Sequence, residues 1–329
     1  MDFQKLFEQF KTIKLAVVGD VMLDTYWWGH VERISPEAPV PVVSFDKREQ
    51  RIGGASNVAL NAASLGARVS VFSVTGNDVD ALLLQELLSK SNIESTGLLK
   101  SNERITTNKM RVISRNQQMI RLDAETTKDL SATDESRLIA AVQKYIEEEK
   151  PSVIIFEDYN KGVLTENVIQ KITALSKKHH VLIAVDPKRK NFFAYKEVDI
   201  FKPNLKEVKE GLNLLVDEVN LPVLKNIHAE LAKKMGHRIS FITLSEKGVF
   251  YQDGEASAIV PSHIRNISDV SGAGDTVIAV ASLVYAATKD VTLMAEMANI
   301  AGGLVCEEVG TVAINKERLI SECNLLLNP

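Results

Sequence analysis

The stretch Gly272-Ala273-Gly274-Asp275 sets three small residues and one carboxylate directly ahead of the apolar run TVIAVASLVYAA. Small residues let a ligand approach the backbone, and the first N–H groups of a helix have no internal partner. Such a terminus binds anions, phosphate among them. A carboxylate in the first turn also suits the helix dipole, and for the segment alone a plain helix entry is the simpler account. As chemistry, the segment offers Gly272, Ala273 and Gly274 as a cradle for charge on a transferred phosphoryl group. Asp275 is then the base that orients a hydroxyl and takes its proton.

Three other stretches weigh with it. Asn204-Leu205-Lys206-Glu207 follows the apolar VDIFKP. Asn204 and Glu207 have the spacing of a capping box. The same two residues, at the carboxyl end of a strand, can also hold a hydrated magnesium ion together with nucleotide phosphates. TLSEKG, Thr243 to Gly248, reads either as a turn closed by Gly248 or as a ligand-binding loop beyond a strand's carboxyl end. Asp20 and Asp24 follow KLAVVG, and Gly53, Gly54 and Asn57 open a helix. Asp24 and Asn57 suit polyol hydroxyls, since a carboxylate accepts and an amide does both; turn and capping chemistry is the alternative.

These groups need a frame. KLAVVGD, RVSVFSVTG, SVIIFEDYN, VLIAVDPK and the start of RISFITLSEKGVFY read as buried strands. GGASNVALNAASLGA, DALLLQELLSKSN and TENVIQKITALSKKHH read as helices between them, and two more helical patterns follow Gly274. Strand–helix alternation of this kind predicts an α/β fold, a doubly wound, mostly parallel sheet with helices on both faces. In such sheets ligands bind beyond the carboxyl ends of the strands. VPVVSFDKREQRI carries Pro41, just after Pro39, as edge strands do, and TTNKMRVISRNQQMIRLD alternates polar and apolar residues. They predict a small β-sheet lid built from about 26–52 and 104–123, or else two surface hairpins. No linker-like stretch interrupts residues 1–329, so one domain is expected.

Composition narrows the classes. The chain has 329 residues, is 45% hydrophobic and only 6% aromatic, so a large, mostly aliphatic core is expected. A net charge of −4 with mixed signs argues against a nucleic-acid surface. Two cysteines make no disulfide framework and fit a reducing cytosol. No apolar run reaches the roughly 20 residues of a membrane span, and the N-terminus lacks a signal peptide, so a cytoplasmic location is expected. There is no P-loop, no H-E-x-x-H and no zinc-ligand spacing. A nicotinamide enzyme would need G-x-G-x-x-G after a strand, and Val277 stands where its third glycine belongs.

In this order, GDVMLD, GGASNVA, NLKE, TLSEKG and DVSGAGDT resemble the motifs of the ribokinase-like, or PfkB, carbohydrate kinases across about 14–310. The family commonly writes its last motif D-T-x-G-A-G-D, and Val270 replaces that threonine. A narrower resemblance, through GDVMLDTYWWGHVERISPEAPVPVV, RVISRNQQMIRLD, DYNKGVLT and DPKR, is to the branch that acts on D-glycero-β-D-manno-heptose 7-phosphate. Lys206 and Arg189 depart from that branch, where smaller residues are usual. The resemblance implies transfer of the ATP γ-phosphate to the anomeric hydroxyl, giving the 1,7-bisphosphate for ADP-heptose and lipopolysaccharide-core synthesis. It implies ATP and Mg2+, a homodimer formed through the lid, and a kinase unit without the adenylyltransferase domain often fused to it. Ser245 and Gly248 are expected to line the nucleotide, and Asn299 and Gly303 to lie near the adenine. Asp158 in DYNKG is expected to contact the sugar, and at least two of Arg111, Arg115, Arg121, Lys161 and Lys188 to hold the sugar phosphate, the rest being solvated surface charges. On one continuous strand the three arginines would share a face; a turn at SRNQQ would separate them. Rivals are another sugar kinase of the family, on a hexose, pentose or deoxyketo acid, and a catalytically dead sugar sensor.

Overall fold

Apolar residues at consecutive positions, rather than alternate ones, mark the central strands. Leu15 and Val17 enter one core while Ala16 and Val18 enter another. Val153 and Ile155, against Ile154 and Phe156, divide the same way. A sheet buried on both faces needs such strands.

The structure is a computed structural model that describes residues 1–115, 117–215 and 218–328. The chain runs α1 (Phe3–Phe10), β1 (Lys14–Gly19), β2 (Val21–Ile34), β3 (Pro41–Gly54), α2 (Ala55–Ser64), β4 (Arg68–Gly76), α3 (Val79–Lys90) and β5 (Glu94–Ser101). Next come β6 (Thr107–Ser114), β7 (Gln117–Ala124), α4 (Ala132–Glu149), β8 (Val153–Glu157), α5 (Glu166–Lys178), β9 (Leu182–Asp186) and β10 (Ile200–Phe201). The last elements are α6 (Leu205–Leu212), α7 (Leu221–Met235), β11 (Ile239–Thr243), β12 (Val249–Asp253), β13 (Ala256–Val260), α8 (Ala273–Thr288), α9 (Val291–Val305) and α10 (Lys316–Leu327).

Nine strands form the large sheet in the order β13-β12-β11-β10-β9-β8-β1-β4-β5. The pairs from β11 to β5 are parallel; β12 alone runs against its neighbours. Helices α2, α8 and α9 cover one face and α4, α5 and α7 the other. This is the doubly wound α/β fold expected from the strand–helix alternation. The carboxyl ends of β1, β8, β9 and β10 deliver Asp20, Glu157, Asp186 and Lys202 to one rim.

The second sheet, β3-β2-β6-β7, is the expected lid, and β3, which opens at Pro41, is an edge strand. It begins at Val21, earlier than the expected 26. Residue pairing sorts its two faces. Asp24 lies beside Lys109 and Arg51, and Lys109 beside Asp123; Tyr26 lies beside Arg111, and Arg111 beside Arg121. That face is polar. The opposite face carries Trp27, Val112, Ile120 and Leu122, of which Ile120 and Leu122 are about half exposed.

Gly54 joins lid to core. It has φ 59 and ψ −140, and a Cβ there would lie 2.5 Å from the Asp20 carbonyl oxygen. Gly54→Ala is therefore expected to lower unfolding free energy by at least about 1–3 kcal/mol, the usual cost of such a backbone conformation. Urea unfolding reads this directly.

Candidate active site

Asp275 stands in the first turn of α8, 3% exposed. The helix begins at Gly272, in the left-handed region at φ 79, and no side chain caps it among the described residues. A Cβ on Gly272 would lie 2.7 Å from Asn57 Nδ2. That nitrogen donates to Asp275 Oδ2 at 2.7 Å, and Tyr159 Oη donates to Oδ1 at 2.7 Å. Asn57 is itself fixed, because Asn61 Nδ2 donates to its carbonyl at 2.8 Å and Thr276 Oγ1 donates to Asn61 Oδ1 at 2.9 Å. Burial pushes the Asp275 carboxyl up to about 6, against the opposing pull of the Asn57 and Tyr159 hydrogen bonds. A base tuned towards neutrality is what proton transfer from an alcohol asks for.

Around it lie charged groups that no sequence motif marks. Carboxylate oxygens of Glu157, Asp186 and Asp275 all lie within 4.8 Å of one another. Lys202, 3% exposed, places Nζ 2.7 Å from Asp186 Oδ2. Both Glu157 oxygens are buried without a partner among the described residues. Burial, with Asp186 and Asp275 adding to it, raises Glu157 well above the usual carboxylate range. Each of these groups sits at a strand end, in FED, VDP and FKP, and that shared placement was the available signal.

The structure distributes the expected residues unevenly. Asn204 and Glu207 form a complete capping box, and Glu207 Oε1 also accepts from Lys188 at 2.7 Å. Lys188 lies 3.5 Å from Asp186 as well, so NLKE joins the rim of the base. Leu205 packs on the core, while Lys206 is exposed beside Glu210. Ser245 and Gly248 have positive φ in the β11–β12 turn. Asn299 donates to the Pro261 carbonyl at 2.8 Å, and Gly303 packs against Arg265.

Asp24, 2% exposed, pairs with Arg111 and closes on Gly53, where a Cβ would fall 2.3 Å from its Oδ2. Lys161 pairs with Glu125 at 2.7 Å. Of the two arrangements open to the three arginines, the structure has the turn. Arg111 and Arg121 face each other across a hairpin, whereas Arg115 sits exposed at its turn with φ 47, so the three do not share one strand. Asp158 turns inward: its carboxylate accepts from the Asn160 N–H, Tyr195 Oη and Asn191 Nδ2, which leaves it engaged inside the protein.

A parallel-sheet rim with a buried carboxylate, the buried Lys202 ammonium and an uncapped helix N-terminus suits anionic ligands. The model of the pfkB family carbohydrate kinases matches residues 12–318, and the chain belongs to that family. Curated relatives named bifunctional protein HldE, from Syntrophotalea carbinolica and Aliarcobacter butzleri, are 36% and 39% identical over 97% and 94% of this chain. The chain spans 64% of the length of each. Among solved structures, phosphofructokinase-2 from Escherichia coli in complex with potassium superposes with a TM-score of 0.80 at 17% identity, covering 96% of this chain and all of that one. Arabidopsis thaliana ribokinase complexed with ribose and ATP gives 0.72 at 16% identity, covering 94% and 98%. These two share the fold. No helix among the described residues is long and apolar enough to cross a membrane.

Proposed function

We propose that the chain phosphorylates D-glycero-β-D-manno-heptose 7-phosphate at its anomeric hydroxyl with ATP, forming the 1,7-bisphosphate for ADP-heptose and lipopolysaccharide-core synthesis. The observation that carries this reading is the 36–39% identity to the HldE proteins over nearly the whole chain, together with the narrower motif resemblance. The polar lid face supports it, since Lys109, Arg111 and Arg121 suit a sugar that already bears a phosphate. Residues 1–329 are read as one kinase unit working in the cytoplasm.

In this reading ionised Asp275 orients the anomeric hydroxyl and receives its proton, while Asn57 holds the other carboxylate oxygen still. The backbone N–H groups of Gly272, Ala273 and Gly274 stabilise charge on the transferred phosphoryl group. Lys202 and Lys188 keep the carboxylate-rich rim attractive to polyanions. Ser245, Gly248, Asn299 and Gly303 are assigned to the nucleotide. The oxygen-only donors at the rim, with two unpartnered Glu157 oxygens, fit a magnesium ion. Asn204 and Glu207 would hold it through water, and when bound it neutralises nucleotide phosphate charge. The apolar outer lid face, with Phe45 62% exposed against Trp27, is assigned to a homodimer contact.

The test is ADP release over a panel of free and phosphorylated sugars, with the product phosphate located by NMR. Turnover on the heptose 7-phosphate above all free sugars is expected; faster turnover on an unphosphorylated sugar would overturn the assignment. Arg111→Gln should raise KM for the phosphorylated substrate about tenfold, since a hydrogen bond to a charged group contributes about 1.5–3 kcal/mol.

A further inference from the structure

The phenol of Tyr159 stands on the atom that an acceptor hydroxyl must reach. Asn57 fills Asp275 Oδ2 from a fully buried position, so Oδ1 is the oxygen left for exchange, and Tyr159 holds it. The two donors differ in what fixes them. Asn57 is locked within α2 and against α8. Tyr159 belongs to a loop in which Asp158 and Lys161 have side-chain partners of their own, and its backbone is anchored: the N–H groups of Tyr159, Lys161 and Val163 all donate to the buried Asp20 carboxylate, at 2.8, 3.0 and 3.0 Å. Beyond that backbone, the described polar contacts of the side chain are the bond to Asp275 and two ammonium groups over its ring. Lys109 Nζ lies 5.6 Å and Lys188 Nζ 5.7 Å from the ring centroid. Lys109 comes from the lid and Lys188 from the end of β9, so the ring bridges the two sides of the cleft.

A kinase that brings ATP to an ionised carboxylate also offers ATP to water. In that wasteful reaction a water oxygen bonds the γ-phosphorus and the β–γ bridging oxygen leaves with its electron pair on ADP. The water proton passes to Asp275. The base must be open for this to happen. We propose that Tyr159 is a positioning residue that guards Asp275: in the sugar-free enzyme its hydroxyl occupies Oδ1 and excludes water, and the acceptor hydroxyl of the sugar displaces it. The proposal rests on Asp275 being the base and not on which sugar is the acceptor.

Tyr159→Phe removes one oxygen and keeps the ring between the two ammonium groups, so the loop and the fold are retained. ADP release with ATP and Mg2+ but no sugar should rise about tenfold, a modest part of the 10²–10⁴ that a positioned base contributes. The double variant Tyr159→Phe/Asp275→Asn should fall back to the sugar-free rate of Asp275→Asn alone, because the excess runs through the base. Sugar-free hydrolysis in Tyr159→Phe that is unchanged or slower would overturn the guard. So would an excess that survives in the double variant. A wrong heptose assignment shows only in the sugar panel and leaves both readings intact.

Discussion

Asp275→Asn is expected to lower kcat by about 10²–10⁴, the usual contribution of a positioned general base, while ATP still binds. Rapid-quench single-turnover kinetics separates the two. The substitution keeps shape and removes the proton acceptor. It also sets an amide where two donors now converge, Asn57 Nδ2 and Tyr159 Oη. One oxygen can serve one of them, and the other meets an N–H. The same change relieves the cost of a buried charge, so thermal stability should move little while activity collapses. The pH profile carries the same information with a definite sign. Only the ionised carboxylate takes a proton, and burial places its titration at about 6. Activity of the unaltered enzyme is thus present above that value and falls as pH drops through it, about tenfold per unit for a single proton. The residual activity of Asp275→Asn should lack this acid limb.

The groups that make Asp275 effective were unequally legible in the sequence. Gly272-Ala273-Gly274-Asp275 is contiguous, so its chemistry reads off a line. The buried strands read well because Leu15 to Val18 and Val153 to Phe156 are apolar on both faces. In the hairpin that carries Arg111 and Arg121, Arg115 at φ 47 breaks the strand that would have aligned three arginines. Pattern alone permitted both outcomes. Partners brought together by topology left no spacing to find: Asn57 meets Asp275 across 218 positions, and Tyr159 meets it across 116. Tyr159 lies between Asp158 and Lys161 in DYNKG, and a tyrosine in a loop carries no mark of the base it touches. Lys202 was hidden for a different reason. A lysine just after a strand is ordinarily a solvated terminus, and nothing local says that Asp186, from the neighbouring strand, will accept it in the interior.

That buried lysine carries the second large effect. Lys202→Met replaces an ammonium by a side chain of similar length and leaves Asp186 with Lys188 at 3.5 Å. Removing one partner of a buried ion pair costs about 3–5 kcal/mol, because the surviving charge stays desolvated. Here burial alone would raise Asp186, yet the Lys188 and Lys202 ammonium groups outweigh it and hold the carboxyl below its ordinary value. A carboxyl held low in the fold adds stability above its unfolded value, and that stability is lost as pH falls through the folded one. Without Lys202 the opposing pull weakens and the folded value rises. The penalty is then full at neutral pH and shrinks as acid protonates Asp186. The gap in Tm between the unaltered enzyme and Lys202→Met should therefore be narrower near about pH 5 than near about pH 8. An equal gap at both would assign the loss to packing instead. Activity should suffer further than stability, because Lys202 Nζ lies 3.7 Å from the position of a Cβ on Gly274, at the mouth of the uncapped helix. Assayed below its Tm, the folded variant should bind ATP more weakly, and added salt should weaken it less than the unaltered enzyme, since the cation that salt screens is gone.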